Sequence, residues 1–155
     1  MALAVGFARA FALPMGSTRN SAALGHFGAI VFDAHGRVLL VERGKPPGEG
    51  LWTVPGGRLE GHETLAQGVA REVREETGLL VEIGPLACVV ERMGDDYHFV
   101  ILDYLARVIG GTLAAGSDAR AARFVDEAEL ASLPLTDGLV DVIARARTAS
   151  WPPNN

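Results

Sequence analysis

A second cysteine is missing: the 155-residue chain has one, Cys88, so no disulfide can form within it and burial must hold the fold together. A lone cysteine in an apolar run reads as a small buried hydrophobe and fits a reducing, cytoplasmic setting. Also missing is any uninterrupted apolar stretch of about 18 residues, so no membrane partner is expected. Positive charge is not in excess either. With 14 Lys and Arg against 19 Asp and Glu, the formal net charge is −5, the wrong sign for a protein that grips nucleic acid by its phosphates. Internal repeats and low-complexity linkers are absent, and the length leaves no room for a second full domain.

What is present is enough apolar content, 48%, for one ordinary core. Residues 1–23 are alanine-rich, with Arg9 inside the apolar part instead of ahead of it, which argues against an export signal. They read as a flexible or packed extension, with Met15 as an alternative start, before a domain over residues 24–150. Residues 25–32 and 37–43 read as strands joined at Asp33-Ala34-His35-Gly36, a hairpin pattern. Gly44 to Gly50 carries too much Gly and Pro for regular structure. A short strand over 52–54 ends in the turn Pro55-Gly56-Gly57.

Strand patterns follow over 79–83 and 86–92, a turn at Gly94-Asp95-Asp96, then a long strand over 97–108 closed by Gly110-Gly111. A loop over 114–122 leads to a strand at 123–125. Asp126 with Glu129 forms a capping pattern for a short helix. Thr136 is placed to cap a last helix whose apolar face is Leu139, Val140, Ile143 and Ala144, and the chain end after it is expected to fray. Strands alternating with helices imply an α/β fold, a mixed sheet with helices on both faces.

Chemistry concentrates between Gly57 and Leu79. Thr64 with Gln67 reads as a capping box and Gly78 as a left-handed C-terminal residue, so the spacing predicts a helix over Leu65–Thr77. Leu65, Ala66, Val69, Ala70 and Val73 form its apolar stripe. Glu72, Glu75 and Glu76 fall within an arc of about 100° beside that stripe. Two such charges about 5 Å apart repel by roughly 3 kcal/mol at an effective dielectric near 20. Three carboxylates therefore call for a cation between them, or for pairing such as Arg71 with Glu75 on an ordinary solvated face. Hard oxygens without Cys or His favour Mg²⁺ or Mn²⁺ over zinc.

Gly57, Glu63, Arg71-Glu72-Val73, Glu75-Glu76 and Gly78-Leu79, at these spacings, resemble the signature of the Nudix hydrolases at every specified position. The resemblance implies a Nudix α/β/α sandwich with a mixed β-sheet. It also implies a metal-dependent hydrolase acting on a nucleoside diphosphate linked to another group, with water attacking phosphorus. Carried over residue by residue, Glu72 and Glu76 are the principal metal ligands, and Glu75 is a further ligand or a base. Gly57 serves backbone approach to the ion, and Arg71 orients the carboxylates. Glu63 is either part of the site or a stabiliser of the helix start.

Arg43 and Lys45 are candidate phosphate contacts. Asp118 and Glu127 are candidates for an extra acidic residue, against plain turn and helix-start roles, and His98 could face substrate. His26 and His35 make no metal spacing with it. Trp52 and Phe27 could stack on a base or belong to the core.

The run from Arg43 to Gly57 is similar to the bacterial branch that acts on ADP-ribose, so an ADP-ribose-like small-molecule substrate is favoured. Members cleaving ADP-ribose often carry a proline where Gly94 and Asp95 stand here, and Tyr97 is similar to members acting on dinucleoside polyphosphates. Nucleoside triphosphates, or a role as a non-catalytic nucleotide sensor, are the alternatives. A homodimer is left open.

Overall fold

The computed structural model describes residues 24–95 and 97–151. The expectations for residues 1–23, for Asp96 and for the chain end beyond Trp151 lie outside them. In chain order the elements are β1 (Leu24–Val31), β2 (Val38–Arg43), β3 (Trp52–Thr53), β4 (Gly56–Arg58), α1 (Leu65–Thr77) and β5 (Leu79–Met93). They continue with β6 (His98–Gly111), β7 (Ala119–Val125), α2 (Glu127–Leu130) and α3 (Leu139–Thr148). One sheet has the order β4-β1-β6-β5 and is mixed, because β1 runs parallel to β6 and every other pair is antiparallel. The second, β3-β2-β7, is antiparallel.

Strand alternation sorts the core into two halves. Phe27, Ala29 and Val31 of β1 and Leu39 of β2 pack with Val69 and Val73 of α1. Ile30, Val38 and Leu40 turn the other way, to Leu139, Val142, Ile143 and Ala146 of α3. Helices thus cover both sides, as the α/β/α expectation required.

Several local expectations are corrected. The β1–β2 hairpin does not form. The Asp33 turn is there, its carboxylate accepting from the backbone N–H groups of His35 and Arg37, but apart from the bridge Phe32–Val38 the two strands join different sheets. Both carry consecutive buried residues, a pattern that needs packing on two faces. Gly56 and Gly57 are not only a turn: they pair with Gly28 and Phe27 as part of β4. A Cβ on Gly56 would lie 2.2 Å from the Phe27 carbonyl oxygen.

The two strands expected between residues 79 and 92 are one, bent by irregularities around Ile83, Leu86 and Cys88 that absorb Gly84-Pro85. β7 begins at Ala119, inside the expected loop.

α1 starts and ends where expected, with the Thr64–Gln67 capping box formed and Gly78 at φ 71°. Its stripe is displaced toward the C-terminus, however. Gly68, Val69, Val73 and Thr77 are buried, Ala70 is partly so, and Leu65 and Ala66 sit in an exposed first turn. In α3 the cap is Gly138 in the left-handed region, with no side-chain bond, and only the carbonyl of Thr136 serves, accepting from Leu139 N–H. The buried face runs Leu139, Val142, Ile143, Ala146, the i, i+3, i+4, i+7 set. Val140 and Ala144 lie outside it.

Candidate active site

Three in-register rows of the mixed sheet make the floor of a cleft of about 700 Å³. The first crosses four strands as Gly56, Gly28, Asp103, Cys88, the second as Arg58, His26, Ile101, Val90, and the third includes Phe99 and Arg92. Residues of one row point to one face, so the odd positions of β6 and the even positions of β1 and β5 share it. One wall is the loop after β2, from Arg43 to Leu51. Thr136, Asp137, Leu139 and Val142 add to the lining, and the edge of α1 contributes Glu72 and Glu76.

Arg71 is the hub of the α1 edge. Its Nε and Nη2 donate to the two oxygens of Glu63, at 3.0 and 2.8 Å, and Nη2 also donates to the Arg58 carbonyl at 3.1 Å. Nη1 donates to Glu72 Oε1 at 2.9 Å and to Glu75 Oε2 at 3.2 Å. The bidentate fork therefore goes to Glu63 and single bonds go to the helix carboxylates. Glu63 also accepts from Glu60 N–H. With the Arg71 bonds foremost, its carboxyl is drawn down to about 2.

Glu76 is in the opposite condition. Its Oε2 accepts from Gly56 N–H at 2.9 Å. Burial pushes its carboxyl up to about 7 against that bond; Glu72 and Asp118 add to the rise and Arg43 opposes it. Glu72 is raised as well, by burial first, with Arg71 opposing. Gly57 lies directly under Glu72, where a Cβ would come within 2.3 Å of Oε1.

Glu75 is exposed, turned to Arg71 and not part of the cleft lining. Among the described residues no three Asp, Glu, His or Cys side chains converge as a ready metal cage. The expected trio is thus a pair lining the cleft, Glu72 and Glu76, with Glu75 tied back. A pair suffices for a small hard cation: Mg²⁺ is usually held by one or two carboxylates plus water and substrate phosphates, not by an all-protein shell.

Arg43, Lys45 and Asp118 all line the cleft. Arg43 Nε donates to the Pro47 carbonyl at 2.9 Å. Lys45 forms an ion pair with Asp118 at the exposed rim. Asp118 is carried there because the segment after β6 closes the end of α1, with Ala114 and Gly116 N–H bonded to the Thr77 and Glu76 carbonyls.

His98 does not line the cleft and bonds Glu91 at 2.6 Å. Glu127 is a first-turn acid of α2 and does not line the cleft. Trp52 is core, with Arg123 over its ring at 5.0 Å, and Phe27 packs against the α1 side of the sheet.

Sequence reasoning missed Asp103, Arg58, Arg92, Phe99 and Asp137. Asp103 left a signal, a single acid inside the apolar run from Phe99 to Leu105.

The residues 24–146 match the NUDIX domain family. An ADP-ribose pyrophosphatase of Methanocaldococcus jannaschii is 36% identical over 98 residues, 62% of this chain, which spans only 58% of that protein. A putative 8-oxo-dGTP diphosphatase 2 of Mycobacterium tuberculosis is 36% identical over 121 residues, 73% of this chain and 83% of the relative. Among solved structures, the NUDIX domain of Shewanella oneidensis NrtR complexed with ADP ribose superposes with a TM-score of 0.70 at 26% identity, covering 81% of this chain and 87% of that one. With the helix, its caps and its glutamates in place and the match extending over most of the described residues, this chain belongs to the Nudix family.

Proposed function

We propose that this chain is a Mg²⁺-dependent pyrophosphohydrolase that cleaves the phosphoanhydride of a nucleoside diphosphate linked to another group, with an ADP-ribose-like substrate favoured. The observation that carries the reading is Glu76: a carboxylate buried at the cleft wall, one turn from Glu72, lacking the arginine that neutralises Glu63. Such a group is short of a cation. Glu72 and Glu76 would hold it, with Gly57 giving close backbone approach and Glu75 reaching it on release from Arg71; Mn²⁺ satisfies the same donors. Bound there, the ion would acidify a water and polarise a non-bridging phosphate oxygen.

The chain's own residues do the rest. Arg71 and Glu63 fix where Glu72 stands. Arg43, Lys45 and Arg58 line the cleft as positive charge for a diphosphate. The ADP-ribose-bound Shewanella domain and the Methanocaldococcus relative support the substrate class. The Mycobacterium relative, matched over more of its length, supports a second reading, a nucleoside triphosphate pyrophosphohydrolase.

Product analysis on ADP-ribose, 8-oxo-dGTP and dinucleoside polyphosphates, each with Mg²⁺ and with chelator, tests both. AMP and ribose phosphate formed only with metal is the expected result. Nucleoside monophosphate and pyrophosphate from 8-oxo-dGTP alone would install the second reading, and no turnover of any of them would leave a nucleotide-binding domain without catalysis.

A further inference from the structure

The floor of the cleft holds one buried acid that the hydrolytic reading does not use. Asp103 is 3% exposed, lines the cleft, and sits in the same row as Gly56, whose N–H binds Glu76. Between them lies Gly28, so the floor from the acidic wall to Asp103 is bare backbone about two strand spacings wide, roughly 10 Å. The Asp103 carboxyl leans over that glycine, where a Cβ would come within 2.3 Å of Oδ1. Its hydrogen-bond partner is the Cys88 thiol, which donates to Oδ2 at 3.8 Å, a weak bond. The lining it shares includes the apolar Val54, Val90, Ile101 and Leu139, and also Arg92.

Burial, not that partnership, favours the neutral form of the Asp103 carboxyl. Burial holds it up to about 6, with the thiol and the charge of Arg92 pulling the other way, and a flat ring laid over it would exclude more water and shift it further toward the neutral form, the form that a bound base would meet. A neutral carboxyl offers one donor and one acceptor side by side. Adenine presents the complement, the N1 acceptor beside the N6 amine. Taking the cleft as a nucleotide site, we propose that Asp103 is the specificity-determining residue for the base, reading the N1/N6 edge of an adenine seated on the strip between Gly28 and Ile101. The O–H donates to N1 and the carbonyl oxygen accepts from the N6 amine, about 10 Å from the wall that takes the diphosphate. This rests on the reading given above for the site, and deepens it.

The test is titration calorimetry in chelator with AMP and N6,N6-dimethyl-AMP, which lacks the amine protons, on the wild type, Asp103→Asn, Asp103→Ala and the volume-keeping Asp103→Leu. The wild type should prefer AMP by about 10-fold or more. Asp103→Asn, whose amide also carries one donor and one acceptor, should keep that preference to within about threefold. Asp103→Ala and Asp103→Leu, whichever melts normally, should bind the two alike. A wild type that binds both equally, or an Ala or Leu variant that keeps the wild-type preference, overturns the assignment. A failure of the hydrolytic reading looks different: selective AMP binding with no turnover of ADP-ribose in Mg²⁺.

Discussion

Glu63 and Glu76 stand at opposite ends of the same helix edge, and the protein treats them in opposite ways. Glu63 is met by the Arg71 fork and by Glu60 N–H and is held ionised far below its ordinary value. Glu76 receives one backbone N–H and is buried beside other acids, so its ionised form is disfavoured. The difference teaches that this acidic helix is not a uniform charged face. One end is internally neutralised scaffold, and the other presents to the cleft a buried carboxyl with no cationic side chain bonded to it.

Removing the helix's seating erases both ends together. Val73→Asp puts an unpaired charge at a position with 0% exposure and should cost about 4 kcal/mol or more; circular dichroism should show no cooperative melting. A finer cut separates the ends. Glu76→Gln should lower kcat/KM by at least about 100-fold while leaving the metal-free melting temperature equal or higher. A marked fall in melting temperature would mean that Glu76 is a structural ion-pair member.

Arg71→Lys keeps the charge and loses the fork, so activity should drop by about 10-fold, with lower stability, because Glu63 and Glu72 are no longer held in one geometry. If Arg71→Lys matched the wild type in both, the hub would have no orienting role.

The two ends also differ in sign with pH. Glu76, raised from 4.5 to about 7, stays protonated in the fold where the unfolded chain has ionised, so its contribution to stability is lost as pH rises from 4.5 through 7. Glu63, lowered from 4.5 to about 2, contributes above 4.5 and loses that contribution as pH falls toward 2. Metal-free melting temperatures should therefore decline on both sides of a maximum in the acid range, and Glu76→Gln should flatten only the upper limb. The smallest effect is expected at the rim: Lys45→Ala breaks an exposed pair with Asp118 and should change stability by less than about 0.5 kcal/mol, with KM for a diphosphate substrate moving by about threefold.

Much of this edge was legible in the sequence because helices are local. Thr64, Gln67 and Gly78 mark the ends of α1 through bonds spanning a few residues, and the glutamates follow from the period. The sheet was less legible. Apolar runs at β1 and β2 suggest strands but not partners, and the parallel pairing of β1 with β6 joins residues far apart in the chain. Gly56-Gly57 reads as a turn because its pairing depends on what it lacks, a Cβ. The cleft floor was missed for the same reason, since Asp103 gains its meaning only when β1 lays Gly28 beside it, whereas His98, plausible in the sequence, does not line the cleft.

The glycines of that floor also decide where the protein can change. A side chain at Gly28, Gly56 or Gly57 would collide with Asp103, with the Phe27 carbonyl or with Glu72, each within about 2.3 Å. The middle of the cleft floor is thus closed to mutation, and the helix edge is bound by Arg71. Freedom remains beyond those glycines, on the β6 and β5 side of the rows, and on the loop from Gly44 to Leu51. A lineage that acquires a new substrate on this scaffold should record the change there: in the identity of residue 103 and its neighbours at 88, 92 and 99, and in the length of one loop, around an unaltered centre.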